Sequence, residues 1–400
     1  MKIGFFTQNV RRGGLDTFLI NLLNSWRVTD DLVLFCNRSH PGLVDLKREL
    51  SARVEIVEYD FLTAQDLHDH MVSYAKPVRS FVKGLFWVLG FPYLVHSARH
   101  VMMRYPCERL LIVNGGYPGG DACLAAAVAW ARSGKPKAWH NVHNQTMPYP
   151  SNLMRRMKEC WIDKRVARSV AGFVAVSASC LQTLEKRSVL LGAKDRFIHN
   201  GMPPPNEPLS GVPLRLELGL PETAELILML AVYEPRKGHS FMFEAMQALA
   251  KRRSQAYLLV CGDGSPAEYA RVLALRDQSP CRDRILLRGH RTDVAFLLTQ
   301  VQILAVPSQA YESFGYMALE AMNKGLPVVC TDVGGLPEVV ENERTGFVIS
   351  KDDVTGFAEA LELLLAQPIK RRVMGAAGKA RADELFSVES MTDQYITLLK

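Results

Sequence analysis

VQILAVPSQAYESFGYMALEAMNKGLPVVCT, residues 301–331, is the stretch on which the fold turns. VQILAVPS reads as a short buried strand, and QAYES as a polar loop. FGYMALEAMNK spaces its apolar residues three and four apart, which predicts a helix beginning near Ser313 and ending at Gly325. The break at Gly-Leu-Pro then runs into a second apolar strand, PVVCT. Strand, helix and strand in succession form the unit from which parallel sheets are built.

Working outward, the same alternation fills the chain. KIGFFT (2–7), LVLFC (32–36), VEIVEY (54–59), RLLIVN (109–114), KAWHNV (137–142) and GFVAVS (172–177) read as strands of a first half. ELILML (225–230), AYLLVCG (256–262), RILLRG (284–289), VQILAVPS (301–308), PVVCT (327–331) and TGFVI (345–349) read as strands of a second. Helical patterns such as HSFMFEAMQALAKR (239–252) separate them. Such alternation implies parallel sheets covered by helices on both faces. A proline-rich stretch, NGMPPPNEPLSGVP at 200–213, reads as the linker. The expectation is therefore an α/β protein of two doubly wound domains facing a cleft: 1–200, 201–380, and a C-terminal helix at 381–400 packing back on the first domain.

Composition narrows the class. At 400 residues the chain is long enough for two full cores, and 48% apolar with 22% charged residues is globular composition. The eight cysteines are scattered without a CxxC pair, which reads as reduced thiols in a cytoplasmic protein. The N-terminal apolar run is too short for a signal peptide, and no apolar stretch reaches the ~18 residues of a membrane span. The net charge of +7 divides unevenly, with +11 on residues 1–200 and −4 on 201–400. A basic first half suits anionic membrane or an anionic acceptor better than nucleic acid, although it is equally consistent with a plain basic surface.

In doubly wound sheets ligands bind beyond the carboxyl ends of the strands, so the strand-to-helix junctions carry the chemistry. At 311–320 two glutamates, Glu312 and Glu320, flank the expected helix start. A helix N-terminus there favours an anion such as a pyrophosphate. Eight residues of helix would separate the carboxylates by roughly 12 Å along the axis. Two hydroxylated rings bridged by a diphosphate have that layout, so a nucleoside diphosphate sugar fits. The ordinary alternative is an amphipathic helix with two solvated glutamates.

Residues 307–349, PSQAYESFGYMALEAMNKGLPVVCTDVGGLPEVVENERTGFVI, resemble the signature of the group 1 glycosyltransferases (family 4, retaining, GT-B fold), whose E-x7-E motif falls on Glu312 and Glu320. GDG at 262–264, AVS…HNGM from 175 to 202, PRKG at 235–238 and GGLDTFLINLL at 13–23 extend the similarity in order. The resemblance implies that Glu312 approaches the donor sugar and Glu320 holds the ribose hydroxyls. The backbone of Ser313, Phe314 and Gly315 would meet the diphosphate, with Gly262 lining the donor site. Lys237 matches the family's diphosphate lysine. Ala231 and Val232 stand where the family usually has a Gly-Arg pair, so Arg236 is the candidate replacement. Gly13 and Gly14 correspond to the loop that lets backbone approach the phosphate and the acceptor. His143 is the first choice for the histidine that contacts the donor sugar, with His140 and Asn144 in acceptor or supporting roles. Asn200 and Gly201 match the family's Asn-Gly, as ligand contact or structural turn.

His140 and His143, three apart on a strand, would face opposite sides, which disfavours a zinc pair. No DxD motif is present, so no metal is expected and no cofactor is implied. Neither GxGxxG nor GxxxxGK[ST] occurs, which disfavours a dinucleotide enzyme or a P-loop ATPase. VRSFVKGLFWVLGFPYLVHSARHVMMR, within 71–105, reads either as an interfacial helix or as a helical pair on the first domain. The expected function is a retaining hexosyltransferase that moves a sugar, from UDP by family prior, to a saccharide or lipid-linked acceptor. Polysaccharide, lipopolysaccharide or other envelope synthesis in bacteria is its setting, in the cytoplasm or peripherally on the inner face of the membrane. The rivals are a catalytically impaired nucleotide-sugar-binding protein and another GT-B enzyme such as an epimerase.

Overall fold

The computed structural model describes residues 1–63, 66–67, 74, 76–204 and 211–400. Part of the expected linker (205–210) and part of the stretch at 71–105 lie outside the described residues. The chain divides into two compact units, Met1–Gly201 with Val388–Lys400, and Met202–Ser387.

In unit 1 the strands are β1 (Lys2–Thr7), β2 (Asp31–Asn37), β3 (Val54–Tyr59), β4 (Arg109–Asn114), β5 (Ala138–Val142), β6 (Val170–Ala175) and β7 (Arg196–Phe197). They pair in the order β3-β2-β1-β4-β5-β6-β7, parallel at every step. The helices are α1 (Gly14–Asn24), α2 (Leu43–Glu49), α3 (Lys76–Arg104), α4 (Asp121–Ala131), α5 (Leu153–Ser169) and α6 (Ala178–Gln182), with a 3-10 turn at Thr183–Leu190. Strands such as β2 and β4 are buried along nearly their whole length, because helices cover both faces of the sheet. The small side chains of DACLAAAVAWA let α4 lie close to the sheet, and residues 122–130 are all buried.

In unit 2 the strands are β8 (Glu225–Leu230), β9 (Ala256–Cys261), β10 (Ile285–Arg288), β11 (Ile303–Val306), β12 (Val328–Thr331) and β13 (Gly346–Ile349). Their order is β10-β9-β8-β11-β12-β13, again parallel throughout. Between them run α7 (Leu214–Glu217), α8 (His239–Ala250), α9 (Pro266–Asp277), α10 (Val294–Gln300), α11 (Tyr316–Asn323) and α12 (Leu336–Val339). α13 (Val354–Ala366) and α14 (Pro368–Leu385) follow. Ile227, Met229, Leu258, Val260 and Ile303 meet Met242, Met246 and Leu361 in one buried cluster.

The last helix, α15 (Val388–Leu399), belongs to unit 1, where it packs on α1 and Tyr395 bonds the Asn141 side chain. The division falls after Ser387, so the stretch read at 381–400 is split: its first residues finish α14 in unit 2. Strand order reverses between β1 and β4 in unit 1, and between β8 and β11 in unit 2. Loops leaving those strands open on the crevice where doubly wound sheets bind ligands.

Candidate functional site

In unit 2 the two switch-point loops meet. The loop after β8 carries Glu234, Arg236 and Lys237, and the loop after β11 carries Ser308, Tyr311 and Glu312. Lys237 Nζ donates to Glu312 Oε2 at 2.5 Å, and the Ser308 hydroxyl donates to the same oxygen at 3.2 Å. Both charged side chains are largely withdrawn from solvent. Burial pushes the Glu312 carboxyl upward, but the charge and hydrogen bond of Lys237, with help from Arg236 and Ser308, outweigh it and hold the carboxyl below its ordinary range. Ser308 is itself fixed: its carbonyl accepts from the Thr331 hydroxyl at 2.5 Å.

The backbone around Glu312 is clamped by the Gly334–Gly335 turn. Gly335 N donates to Glu312 O at 2.8 Å. Gly334 has φ +63, and a Cβ on it would stand 1.9 Å from Glu312 O. Only glycine fits both the conformation and the approach. Gly262, at the end of β9, is demanded by closeness alone, since its Cβ would lie 1.9 Å from Ala231 O.

α11 begins at Tyr316, three residues later than expected, because Gly315 enters it at φ +104. Ser313 and Phe314 therefore form the approach to the helix rather than its first turn. The 12 Å axial separation does not apply, since only the path from Tyr316 to Glu320 is helical. Glu320 is half-buried, and among the described residues no hydrogen bond or ion pair reaches its carboxyl. Burial raises it to about 7. The two glutamates thus differ in kind: Glu312 is a paired carboxylate, whereas Glu320 has acceptor capacity unused by the protein.

Arg236 points toward this cluster. Its Nε donates to Glu234 at 2.5 Å, and Nη1 reaches the Tyr311 carbonyl at 3.4 Å. Val232 is exposed. His239, the first residue of α8, is buried against Tyr233 and held neutral: burial, then the charges of Arg271 and Lys237, lower it to about 4. Ser308, Glu234, His239 and Gly334 were not singled out from sequence. Ser308 alone had a visible signal, as the polar residue closing AVPS at a strand end.

In unit 1, Gly13 caps α1 and Gly14 opens it. Gly13 N donates to Asp16 Oδ2 at 3.0 Å, and a Cβ on Gly13 would meet nothing within 4 Å. Asp16 also accepts from Asn9 at 3.2 Å and lies 2.8 Å from the buried His40 Nε2. This cluster orders the Gly-Gly loop, and the sequence reading missed it. Its signal was an aspartate three residues after a candidate cap, the spacing of a capping box.

The two histidines occupy different settings. His140, inside β5, is fully buried among Tyr117 and Phe173, with Nε2 at 3.4 Å from the Asn114 amide. His143 lies just past the strand, its N–H bonded to Asn114 O at 3.0 Å and its ring 4.2 Å from Phe18. Burial lowers both to about 3, so both are neutral imidazoles. Among the described residues His143 Nε2 has no hydrogen-bond partner, and a buried nitrogen left open in this way can serve a ligand hydroxyl. Asn144 is exposed, and its side chain accepts from the Gln145 N–H. Asn200 and Gly201 end the main run of unit 1, where Gly201 O accepts from Asn21 at 3.2 Å. Among the described residues, no three His, Cys, Asp or Glu are grouped to hold a metal ion.

Residues 214–381 match the family model "Glycosyl transferases group 1". An N-acetyl-alpha-D-glucosaminyl L-malate synthase of Bacillus anthracis is 33% identical over 187 residues, 46% of this chain and 48% of that protein. A GDP-mannose-dependent monoacylated alpha-(1-6)-phosphatidylinositol monomannoside mannosyltransferase of Corynebacterium glutamicum is 33% identical over 192 residues, 46% of this chain and 50% of that protein. The chain thus spans about half the length of the curated relatives it matches. The structure of Anabaena HepE in complex with UDP superposes with a TM-score of 0.76 at 18% identity, covering 100% of this chain and 99% of that one. At that identity the likeness establishes the fold, which is GT-B.

Proposed function

We propose that this chain, whose residues 214–381 belong to the group 1 glycosyltransferases, moves a hexose from a nucleoside diphosphate sugar to a hydroxyl of a saccharide or lipid-linked acceptor. The observation that carries the reading is the Lys237–Glu312–Ser308 cluster at the switch point of unit 2, followed on α11 by the unpaired Glu320. In this reading Glu320 accepts from the ribose diol. Lys237 and Arg236 turn to the diphosphate, with the N–H groups at the start of α11 aimed at the same charge. Lys237 leaving for the diphosphate exposes the Glu312 carboxylate to the donor sugar. His143 offers its open nitrogen to a saccharide hydroxyl held at unit 1. No metal enters the proposal.

Transfer forms a bond from the acceptor oxygen to the anomeric carbon as the bond to the diphosphate oxygen breaks. The proton of the acceptor passes to the departing diphosphate on the same face, and the anomeric configuration is retained. UDP is the proposed carrier, which fits the UDP bound in HepE; the Corynebacterium relative is named for GDP-mannose. Bacterial envelope or polysaccharide synthesis, from the cytoplasmic side, is the proposed setting.

The test is turnover with UDP-glucose, UDP-galactose, UDP-N-acetylglucosamine and GDP-mannose against sugar and lipid-linked acceptors, the product's anomeric coupling being read by NMR. An α-linked product from an α-linked donor, reduced at least ~100-fold in Glu312→Gln, supports the reading. A β-linked product overturns retention. A new nucleotide sugar formed from donor alone marks an epimerase.

A further inference from the structure

Two helices of unit 1 expose a surface that the proposed chemistry does not use. On α3, Trp87, Val88 and Leu89 face solvent; on α5, Leu153, Met154 and Met157 do the same, with exposures from 38% at Trp87 to 67% at Leu153. Monomeric soluble proteins rarely leave so many large apolar side chains together, and such patches mark interaction sites. The two helices form one face. Lys158 of α5 donates to the Trp87 carbonyl at 2.5 Å, with its ammonium 4.9 Å from the Trp87 ring. One turn on, Trp161 packs edge-on against Phe91 of α3, with centroids 6.0 Å apart.

The exposed charge of these two helices is mainly basic, with Asp121 of α4 the acidic neighbour of Lys158. α3 contains no aspartate or glutamate. The two acids of α5, Glu159 and Asp163, are both bonded to the buried Arg187. Arg155, Arg156 and Lys164 remain exposed, and Arg165 lies 3.3 Å over the Trp161 ring. Indoles with apolar neighbours and surrounding basic groups match the boundary of a bilayer, where rings sit at headgroup level and cations meet lipid phosphates. Contrary to the expectation from sequence that no stretch reaches span length, residues 78–104 are, by length and composition alone, long and apolar enough to cross a membrane. The second half of α3 is nevertheless fastened to the unit: Phe91, Leu94, Val95, Ala98 and Met102 are buried, and the helix packs on α4. A helix so committed can lie on a membrane but not span it.

We propose that the α3–α5 face of unit 1 docks on an anionic lipid bilayer, with Trp87, Val88, Leu89, Met154 and Met157 entering the interface and Arg155 and Arg156 on the headgroups. The inference stands independently of the transferase reading, since its test involves no nucleotide or acceptor. The full chain is mixed with vesicles of phosphatidylcholine alone, or of phosphatidylcholine with phosphatidylglycerol, and bound protein is separated by flotation. Wild type, Val88→Ser with Leu89→Ser, and Arg155→Glu with Arg156→Glu are compared after thermal unfolding confirms that each is folded. Binding to the anionic vesicles, a blue shift of tryptophan emission on binding, and at least ~10-fold weaker binding by both variants are expected, with the arginine contribution falling at high salt. Absence of binding, or binding equal on both vesicles and unaltered by either variant, overturns the proposal. So does a concentration-dependent dimer that the variants dissolve without any lipid binding, which would assign the face to a second copy of the chain.

Discussion

After β8 and β11 the chain turns into Lys237 and Glu312; after β1 and β5 it turns into Gly13 and His143. Both pairs of loops leave parallel sheets of the same topology, yet they are built differently. In unit 2 the loops hold opposite charges in contact, and the backbone behind Glu312 has no room for a methyl group at Gly334. In unit 1 the histidines within β5 and just past it are neutral, and Gly13 stands in open space. One fold thus carries a tightly packed junction of paired charges, Lys237 with Glu312 and Arg236 with Glu234, and another in which neutral histidines and an unobstructed Gly13 stand at the strand ends. In the proposed function the first junction takes the diphosphate and the second takes hydroxyls.

The largest effect expected from this contrast is at Gly334. Gly334→Ala places a Cβ against Glu312 O at a positive φ and should cost ~3 kcal/mol or more, with loss of nucleotide binding. Denaturant unfolding and calorimetry read both. A tolerated alanine would show that the loop around Glu312 is looser than described.

Lys237→Ala ranks next. It leaves a largely buried carboxylate without its cation and should cost ~2 kcal/mol at pH 8. Glu312 is held below its ordinary range, so the pair stabilises above that range and is lost as pH falls through the lowered value. The wild-type advantage should therefore shrink in acid, and Lys237→Ala with Glu312→Gln should recover much of the loss. An advantage undiminished well below the ordinary carboxylate range would mean that packing, not the ion pair, is at work.

Glu320 has the opposite sign. Its carboxyl is raised to about 7, so the folded state holds a proton that the unfolded chain gives up nearer pH 4.5. That contribution is fully present below the unfolded value and is lost as pH rises through about 7. Glu320→Gln should be closest to wild type at pH 5 and gain on it toward pH 8, by at most ~3 kcal/mol. A constant difference across that range would show that Glu320 ionises normally. The smallest effect belongs to unit 1: Gly13→Ala should change stability by less than ~0.5 kcal/mol, because its Cβ meets nothing.

Much of the fold was legible because buried parallel strands are short apolar runs between helical patterns. ELILML, VEIVEY and RLLIVN coincide with β8, β3 and β4 at both ends. β7 was not legible, since Arg196 and Phe197 are two exposed residues that become a strand only by pairing with β6. The late start of α11 was hidden for a related reason. Apolar spacing marks a helical face, but the backbone angle of Gly315 sets where the helix begins. Lys237 and Glu312 were named from motifs, and their contact bridges 75 residues that only the sheet order brings together. Ser308 and Gly334 act through that same closure, so local pattern could not assign them a role. His140 and His143 were separable in principle, and the structure places the first inside β5 and the second beyond its end.

The central claim is that the switch point of unit 2 binds a nucleoside diphosphate through Lys237. Calorimetric titration of wild type and Lys237→Ala with UDP, GDP, ADP and CMP tests it directly. One diphosphate, UDP being the proposed one, should bind selectively, and the variant should lose at least ~10-fold in affinity. Failure of every diphosphate to bind the wild type, or equal binding by the variant, would contradict it.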